Sequence, residues 1–184
     1  MSKAVMLSIK PKYCDLIASG KKTLEVRKTK PIIETPFKCY IYCTKADLHS
    51  CLMFNRRETK LIKCCNYKTA IPVGGKIANG YVIGEFICDT YVTDRTYGHD
   101  TMFKAAACMD DIDTAVYCTN PKVYGWHISE LKIYDMPKDL SEFYKACNKA
   151  DFYDCSRCED KGEKVCYAIE RPPQSWCYVE EVEI

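Results

Sequence analysis

Short apolar and alternating segments, separated by turn residues, predict a series of strands with few helices. Residues Ala4–Ile9 are apolar except for one serine, which is typical of a buried strand. Pro11 favours the start of a helix, and Gly20 is a residue at which such a helix ends. Between Lys22 and Lys28 apolar and polar residues alternate, so we expect a second strand with one polar face. The chain therefore begins as strand, helix, strand.

The remaining periodic segments continue this pattern of short elements. We expect further strands at Phe37–Cys43, Tyr81–Val92, His127–Tyr134 and Ser175–Val182. Helical segments are expected within Asp94–Cys118 and at Lys138–Cys147. Gly84, inside one predicted strand, indicates a bulge or bend. Five or more short strands with a few peripheral helices predict an α+β fold around a mixed or closed sheet.

Length and composition place the chain among soluble globular proteins. It has 184 residues, which is the size of one domain. Of these residues, 47% are hydrophobic and 28% are charged. These values exclude a disordered chain, a collagen-like chain and a long coiled coil. No segment approaches the roughly 18 apolar residues of a membrane span, and the first apolar run is too short for a signal peptide. We therefore expect a cytoplasmic protein without a membrane partner.

The net charge of +2 conceals a strong gradient along the chain. Residues 1–76 contain 16 Lys and Arg against 5 Asp and Glu, whereas residues 77–184 contain 11 against 20. A basic half attracts anionic partners such as nucleic acid, because local potential steers association more than total charge. Alternatively, the two halves pair with each other within the fold.

The most informative run of charged residues lies at 20–27, with the sequence Gly-Lys-Lys-Thr-Leu-Glu-Val-Arg. It places a helix end directly before a strand whose polar face carries Glu25 and Arg27. Lys22 lies at the junction, where its long side chain reaches the same place. Three such groups together suit binding of a phosphate and a base edge, or proton transfer. The alternative is a solvated, charged strand face.

Gly20, Lys22, Glu25 and Arg27 match the Gly-x-Lys-x-x-Glu-x-Arg signature of the ASCH domain, a relative of the PUA RNA-binding fold. The chain resembles this family, in the variant of Gram-positive bacteria and their phages. Similar blocks are Leu7–Pro11, Tyr40–Thr44, Val82–Phe86, Tyr124–Ile128 and Arg171–Val179. The resemblance implies a single domain over 1–184, a small PUA-like β-barrel with cysteine-containing insertions at 44–70 and 147–166.

The resemblance also implies a cleft, lined by the signature residues, that binds RNA or a nucleotide. In this interpretation Lys22 and Arg27 hold phosphate. Glu25 accepts a hydrogen bond from a base amino group or orients Arg27. A module with a vestigial cleft that binds another protein is a further alternative.

A second function follows from one branch of the family, whose members resemble small amidohydrolases that deacylate N4-acetylcytidine. The catalytic lysine of that branch corresponds to Lys22. Its second catalytic residue is a threonine at the position of Glu25, so Glu25 or the neighbouring Thr23 takes the helper role here. The third residue, an acid from a helix, matches no local motif in this sequence. Whether the chain is an enzyme therefore stays open.

Three residues outside the signature are further candidates for contacts with a nucleic acid. Trp126 and Trp176 are expected to form walls of the cleft, since indole rings stack on unpaired bases. Arg171 precedes two prolines that stiffen the backbone, and we expect it to contact a phosphate or base. The alternative for most aromatic residues is packing within the sheet.

The 14 cysteines include four with spacings suited to a metal: Cys147, Cys155, Cys158 and Cys166. The central pair is separated by two residues, an arrangement that presents two thiolates to one tetrahedral zinc ion. The intervening residues are too polar to form a core, so a structural zinc would stabilise this loop. The alternative is a loop that carries free thiols.

Overall fold

The computed structural model describes residues 2–45, 52–55, 60–63, 76–146 and 167–182. The described strands are β1 (Lys3–Ile9), β2 (Leu24–Arg27), β3 (Phe37–Cys43), β4 (Leu52–Asn55), β5 (Lys60–Lys63), β6 (Lys76–Ile77), β7 (Val82–Cys88), β8 (Tyr91–Asp94), β9 (Val123–His127), β10 (Ser129–Lys138) and β11 (Trp176–Glu180). The described helices are α1 (Pro11–Ala18), α2 (Thr101–Ala107) and α3 (Asp111–Tyr117), with a 3₁₀ turn at Leu140–Glu142.

Two sheets enclose the main core. The larger has five strands in the order β10-β7-β3-β1-β11, and the smaller has the order β2-β9-β8. Strands β1 and β3 are parallel, whereas the other neighbours in both sheets are antiparallel. The predicted α+β fold with a mixed sheet of five or more strands is confirmed. Strands β4, β5 and β6 form a further sheet of three.

The larger sheet is buried on both faces, because alternate residues of its strands enter two different cores. On one face Val5, Leu7 and Ile9 pack with the inward residues of β3 and with α1. On the other face Ala4 and Met6 pack with residues that include Tyr40 and Phe143. Burial on both sides explains why β1 is a nearly continuous apolar run.

The predicted opening of strand, helix, strand is confirmed. Pro11 occupies the first turn of α1, where its missing N–H requires no partner. Gly20 follows the end of the helix with φ of +72°, a conformation that side chains with a Cβ rarely adopt. The backbone N–H groups of Lys21 and Lys22 then donate to Leu16 O at 2.9 and 3.0 Å. This reversal delivers Lys22 to the start of β2.

Gly84 lies at the predicted irregularity in β7. The register between β3 and β7 shifts between the pairs Ile41–Gly84 and Tyr42–Val82. A Cβ atom at Gly84 would lie 2.5 Å from the backbone oxygen of Lys132 on β10. The close approach of β10 therefore requires glycine at this position.

Two predicted strands have different bounds because the chain passes between the sheets. The segment Tyr81–Val92 forms β7 in the larger sheet and β8 in the smaller one, with a break at 89–90. The segment His127–Tyr134 likewise spans the end of β9 and the first part of β10. A continuous apolar pattern does not reveal such a change of sheet.

The predicted helix at Lys138–Cys147 is wrong within its described part. Asp139 caps a single 3₁₀ turn, because its carboxylate accepts from the backbone N–H of Ser141. The backbone N–H of Asp139 in turn donates to Glu142 Oε1 at 2.7 Å. Phe143 is then extended and fully buried. Tyr144 and Lys145 continue as β-bridges to Ala168 and Val179. Burial of Phe143 and these bridges outweigh the helical periodicity.

Ion pairs that join the basic and acidic halves occur among the described residues at Lys12 and at Lys38. Lys12 Nζ lies 2.6 Å from Asp113 Oδ2, and Lys38 Nζ lies 3.1 Å from Glu181 Oε1. Pairing between the halves thus accounts for part of the charge gradient. Among the described helices, none has the length and apolar content needed to cross a membrane.

Candidate functional site

The side chain of Lys22 is buried at the junction of β2 and α2, with 3% of its surface exposed. Its Nζ donates to the carbonyl oxygen of Ala107 at 2.6 Å and lies 3.4 Å from Glu25 Oε2. The same atom lies 4.8 Å from the ring centre of Tyr13. Burial lowers the pKa of Lys22, and the negative charge of Glu25 opposes this shift.

Glu25 and Arg27 form a buried ion pair on the inward face of β2, with exposures of 4% and 5%. Arg27 Nη1 donates to Glu25 and to the backbone oxygen of Val26, and Nη2 donates to the backbone oxygen of Ser8 at 2.9 Å. The carboxylate of Glu25 is therefore bound to the guanidinium group of Arg27. The alternative of a solvated, charged face is wrong, because both side chains are enclosed.

Two polar atoms of this ion pair remain without a hydrogen-bond partner among the described residues: Glu25 Oε2 and Arg27 Nε. Buried polar atoms are usually hydrogen-bonded, because leaving one unpaired costs about 1–3 kcal/mol. The charge of Oε2 is nevertheless compensated, because the ammonium group of Lys22 lies 3.4 Å from it.

Lys22, Glu25 and Arg27 line one cavity of about 520 Å³. Further lining comes from α1, α3 and the loops after β1 and β2. These other lining residues include Ser8, Lys10, Tyr13, Lys28, Thr29, Thr44, Met109, Asp113, Val116 and Tyr117. Lys10 and Lys28 are exposed, so the cavity has a charged interior and basic groups at its mouth.

The lining residues that were not identified from the sequence include Tyr13, Asp113 and Tyr117. They lie on α1 and α3, far along the chain from the signature, and only the fold brings them together. Burial, followed by the nearby Asp113 carboxylate, raises the pKa of Tyr13. The hydrogen bond from Lys12 lowers the pKa of Asp113. Asp113 is an acid on a helix, although no local motif identifies it.

The two tryptophans predicted to form walls of the cleft, Trp126 and Trp176, do not line the cavity. Trp126 is opposite Glu25 in the pairing of β2 with β9 and is fully buried, so it does not line the cavity. Its indole packs on Trp176 with ring centres 6.0 Å apart. Trp176 Nε1 donates to Thr29 Oγ1 at 3.0 Å, so this tryptophan supports a lining residue without lining the cavity itself. The inward direction of this strand face places Trp126 in the core, and the partly buried Trp176 packs against that core from β11.

Thr23 and Arg171 also lie outside the cavity lining. Thr23 precedes β2 with an exposed side chain, while its backbone bonds to Ala106 O and Ile128 N. It therefore does not share the enclosed face that carries Glu25 and Arg27. Arg171 is exposed, and the loop it begins reaches the cavity through Gln174 and Ser175.

The proposed zinc ligands Cys147, Cys155, Cys158 and Cys166 lie outside the described residues. Within the described part of the chain, no group of three or more potential ligands is arranged for a metal ion. The zinc site stays a prediction from the sequence.

No family model and no curated protein matches the chain. Among solved structures, ASCH from Zymomonas mobilis is similar, with 16% sequence identity, a TM-score of 0.57 and coverage of 97% of this chain and 88% of that one. A tyrosine-to-phenylalanine variant of the same protein has 16% identity and a TM-score of 0.58, covering 98% and 92% of the two chains. A serine-to-alanine variant has 16% identity and a TM-score of 0.57, covering 97% and 89%.

At this level of identity the similarity concerns the fold. The chain has the fold of these ASCH structures over nearly its whole length, which agrees with the expected architecture. Assignment to the variant of Gram-positive bacteria and phages stays a prediction.

Proposed function

We propose that the cavity binds one nucleotide of a single-stranded RNA or a free nucleotide. The observation that carries this proposal is the buried Lys22–Glu25–Arg27 cluster lining a 520 Å³ cavity with exposed lysines at its mouth. Cavities of about 300–1,000 Å³ hold small organic ligands, so the volume suits a nucleotide. Apolar and aromatic lining residues would contact the base, while the charged cluster pairs with its polar edge.

The base and the phosphate are assigned to different parts of the cavity. Lys22 and Arg27 are buried and already bonded to backbone oxygens, so they suit the base edge better than a hydrated phosphate. Lys10 and Lys28 are exposed, and an ammonium group in solvent binds phosphate without a large desolvation cost. We therefore assign phosphate contacts to these two lysines, in place of the role first expected for Lys22 and Arg27.

Fluorescence anisotropy with a labelled single-stranded RNA of about ten nucleotides tests this function. The wild-type protein is compared with Lys22→Met, which removes the charge and keeps the length of the side chain. Circular dichroism establishes that the variant is folded. We expect Lys22→Met to weaken binding about tenfold, the effect of losing a hydrogen bond from a charged group. Absence of wild-type binding at low salt, or unchanged affinity in folded Lys22→Met, would overturn the proposal.

A second function, hydrolysis of an N-acylated nucleoside, is favoured by one observation. Lys22 has a lowered pKa and shares the cavity with Asp113, an acid on a helix as the amidohydrolase branch requires. A less basic amine is a better general base near neutral pH. In this reaction water adds to the acyl carbon and the bond from that carbon to the exocyclic nitrogen breaks. The nitrogen takes up a proton and leaves as the amino group of the nucleoside, and the acyl group is released as a carboxylate.

The catalytic threonine of the amidohydrolase branch is replaced here by Glu25. The carboxylate of Glu25 already accepts a hydrogen bond from Arg27. Ser8 lines the cavity, but its Oγ donates to the backbone oxygen of Pro173 at 2.6 Å. Chromatography of N4-acetylcytidine incubated with the protein detects cytidine directly. Activity lost in Asp113→Asn and kept in Asp111→Asn, an exposed aspartate outside the lining, would favour hydrolysis. No cytidine from the wild-type protein would exclude this substrate.

A further inference from the structure

The rim of the cavity carries an exposed apolar side chain on α3. The other exposed residues among those that line the cavity are polar or charged: Lys10, Lys28, Thr29, Gln174 and Ser175. Val116 differs from them, because it is apolar and 73% of its surface is exposed. A ligand that leaves the cavity past Val116 therefore meets apolar surface.

Ile112 extends this apolar surface beyond the cavity. It precedes Val116 by one helical turn on α3, so the two side chains lie on the same face of the helix. Ile112 is 76% exposed and does not line the cavity. Val116 and Ile112 together form the α3 strip, which begins at the rim and leads away from the cavity.

The acidic groups of the first turn of α3, beside the strip, are paired with lysines. The carboxylates of Asp110 and Asp113 lie 3.6 and 2.6 Å from Lys12 Nζ. Asp111 is paired with Lys104 of α2. These carboxylates would repel a phosphate group placed on the strip. The uncharged face of a base, in contrast, suits two apolar side chains whose neighbouring charges are already compensated.

A candidate phosphate contact lies at the other end of the strip. The exposed Lys28, to which we assign phosphate binding, donates to Thr119 Oγ1 at 3.0 Å and lies over the ring of Tyr117. Tyr117 directly follows Val116 in α3. A phosphate bound by Lys28 is therefore close to the end of the strip that lies at the cavity.

We propose that the α3 strip binds the base of the nucleotide next to the one in the cavity, so that the ligand is a single strand of at least two nucleotides. One base occupies the cavity, the connecting phosphate lies at Lys28, and the next base packs on Val116 and Ile112. The inference rests on the proposed function and chooses a strand over a free nucleotide. Every base has an apolar face, so the strip accepts any of the four bases.

Isothermal titration calorimetry with small adenine nucleotides tests the second base contact. The probes are adenosine monophosphate, the 5′-phosphorylated adenine dinucleotide, and two dinucleotides in which either the first or the second residue is abasic. The three dinucleotides carry the same phosphates, so their comparison isolates the second base. We expect the two-base compound to bind at least about fivefold more tightly than either abasic compound, the smaller end of the contribution of one packed base. Equal affinities would overturn the inference.

Ile112→Ser tests the strip itself, because Ile112 lies outside the cavity lining. We expect this variant to weaken binding of the two-base compound at least about threefold, through lost apolar burial, and to leave adenosine monophosphate unaffected. Met102→Ser is the matched control, since Met102 on α2 is 82% exposed and also outside the lining, and it should change neither affinity. Circular dichroism establishes that both variants are folded. Unchanged binding in Ile112→Ser, or an equal loss in Met102→Ser, would overturn the inference.

The outcomes separate this inference from the proposed function. If adenosine monophosphate binds and the second base adds no affinity, the inference fails and nucleotide binding stands. If neither the nucleotides nor RNA bind, both fail. A second copy of the chain is another occupant for an exposed apolar strip. Analytical ultracentrifugation that shows a wild-type dimer dissociated by Ile112→Ser would assign the strip to self-association and overturn the inference.

Discussion

Lys22 Nζ donates a 2.6 Å hydrogen bond to the backbone oxygen of Ala107, the last residue of α2. The final carbonyl groups of a helix lack intrahelical partners and favour a nearby cation. The bond therefore fixes the lysine between α2 and β2 while its ammonium group faces Glu25. The position of Lys22 in the cavity is set by the fold and does not depend on a ligand.

Glu25 should contribute more to stability than Lys22. The carboxylate lies between two buried cations, so Glu25→Ala leaves Lys22 and Arg27 without their compensating charge. We expect a loss of about 3–5 kcal/mol in the free energy of unfolding. Lys22→Met leaves the Glu25–Arg27 pair intact and should cost about 1–3 kcal/mol. Urea denaturation of both variants measures this order, and a larger loss for Lys22→Met would contradict it.

The lowered pKa of Lys22 predicts a dependence of stability on pH. Between the folded pKa and the ordinary value of 10.5, the unfolded state binds more protons at this site than the folded state. The contribution of Lys22 to stability therefore increases as pH rises through that interval. The wild-type protein should gain stability relative to Lys22→Met as the pH rises towards the ordinary lysine pKa of 10.5. Urea denaturation midpoints of both proteins, measured at increasing pH, test the direction of this change. A stability difference between wild type and Lys22→Met that decreases with rising pH would contradict the prediction.

Gly84 should be less tolerant of substitution than Gly20. A Cβ atom at Gly84 meets the backbone oxygen of Lys132 at 2.5 Å, whereas nothing lies within 4 Å at Gly20. We expect Gly84→Ala to cost about 3 kcal/mol through overpacking. Gly20→Ala should cost about 1 kcal/mol, because of its positive φ alone. Thermal and urea unfolding compare the two, and equal losses would argue against the close approach of β7 and β10.

Much of the fold was predictable because local rules and burial agree there. The apolar run in β1, Pro11 at the start of α1 and Gly20 after its end all lie as the sequence predicts. The predictions failed where tertiary context decides the outcome. Phe143 is buried as extended chain, and a single apolar pattern over Tyr81–Val92 divides between two sheets.

The candidate site was predictable only in its local part. The spacing of Lys22, just before β2, and of Glu25 and Arg27 within it identified the cluster, and the fold brings all three to one cavity. Alternation alone did not show that this polar face is buried. Asp113 and Tyr117 come from α3, and no short-range signal connects them to β2.

The cysteine spacing gives a separate prediction about metal content. Purified, untagged protein should contain about one zinc ion per chain, because four thiolates complete a tetrahedral site. Elemental analysis by mass spectrometry should find this zinc lost or reduced in Cys155→Ser. Cys177→Ser, a cysteine of β11 outside the cluster, should retain it. Wild-type protein without zinc would contradict the prediction, as would zinc retained equally in Cys155→Ser.

The placement of phosphate at the cavity mouth predicts different effects for two similar lysines. Lys28 and Lys122 are both exposed, and each ammonium lies over a tyrosine ring, at 5.3 Å from Tyr117 and 5.1 Å from Tyr124. Lys28 lines the cavity, whereas Lys122 does not. The pair therefore separates a specific contact at the cavity from a general effect of surface charge.

Salt-dependent RNA binding of Lys28→Ala and Lys122→Ala is the most direct test of the central claim. Anisotropy titrations between about 50 and 200 mM salt give the slope of log affinity against log salt concentration. The account predicts that Lys28→Ala weakens binding and reduces the magnitude of the slope by about 0.7, the loss of one phosphate contact on a single strand. Lys122→Ala should leave both quantities unchanged. Equal effects of the two substitutions, or no effect of Lys28→Ala, would contradict binding of nucleic acid at this cavity.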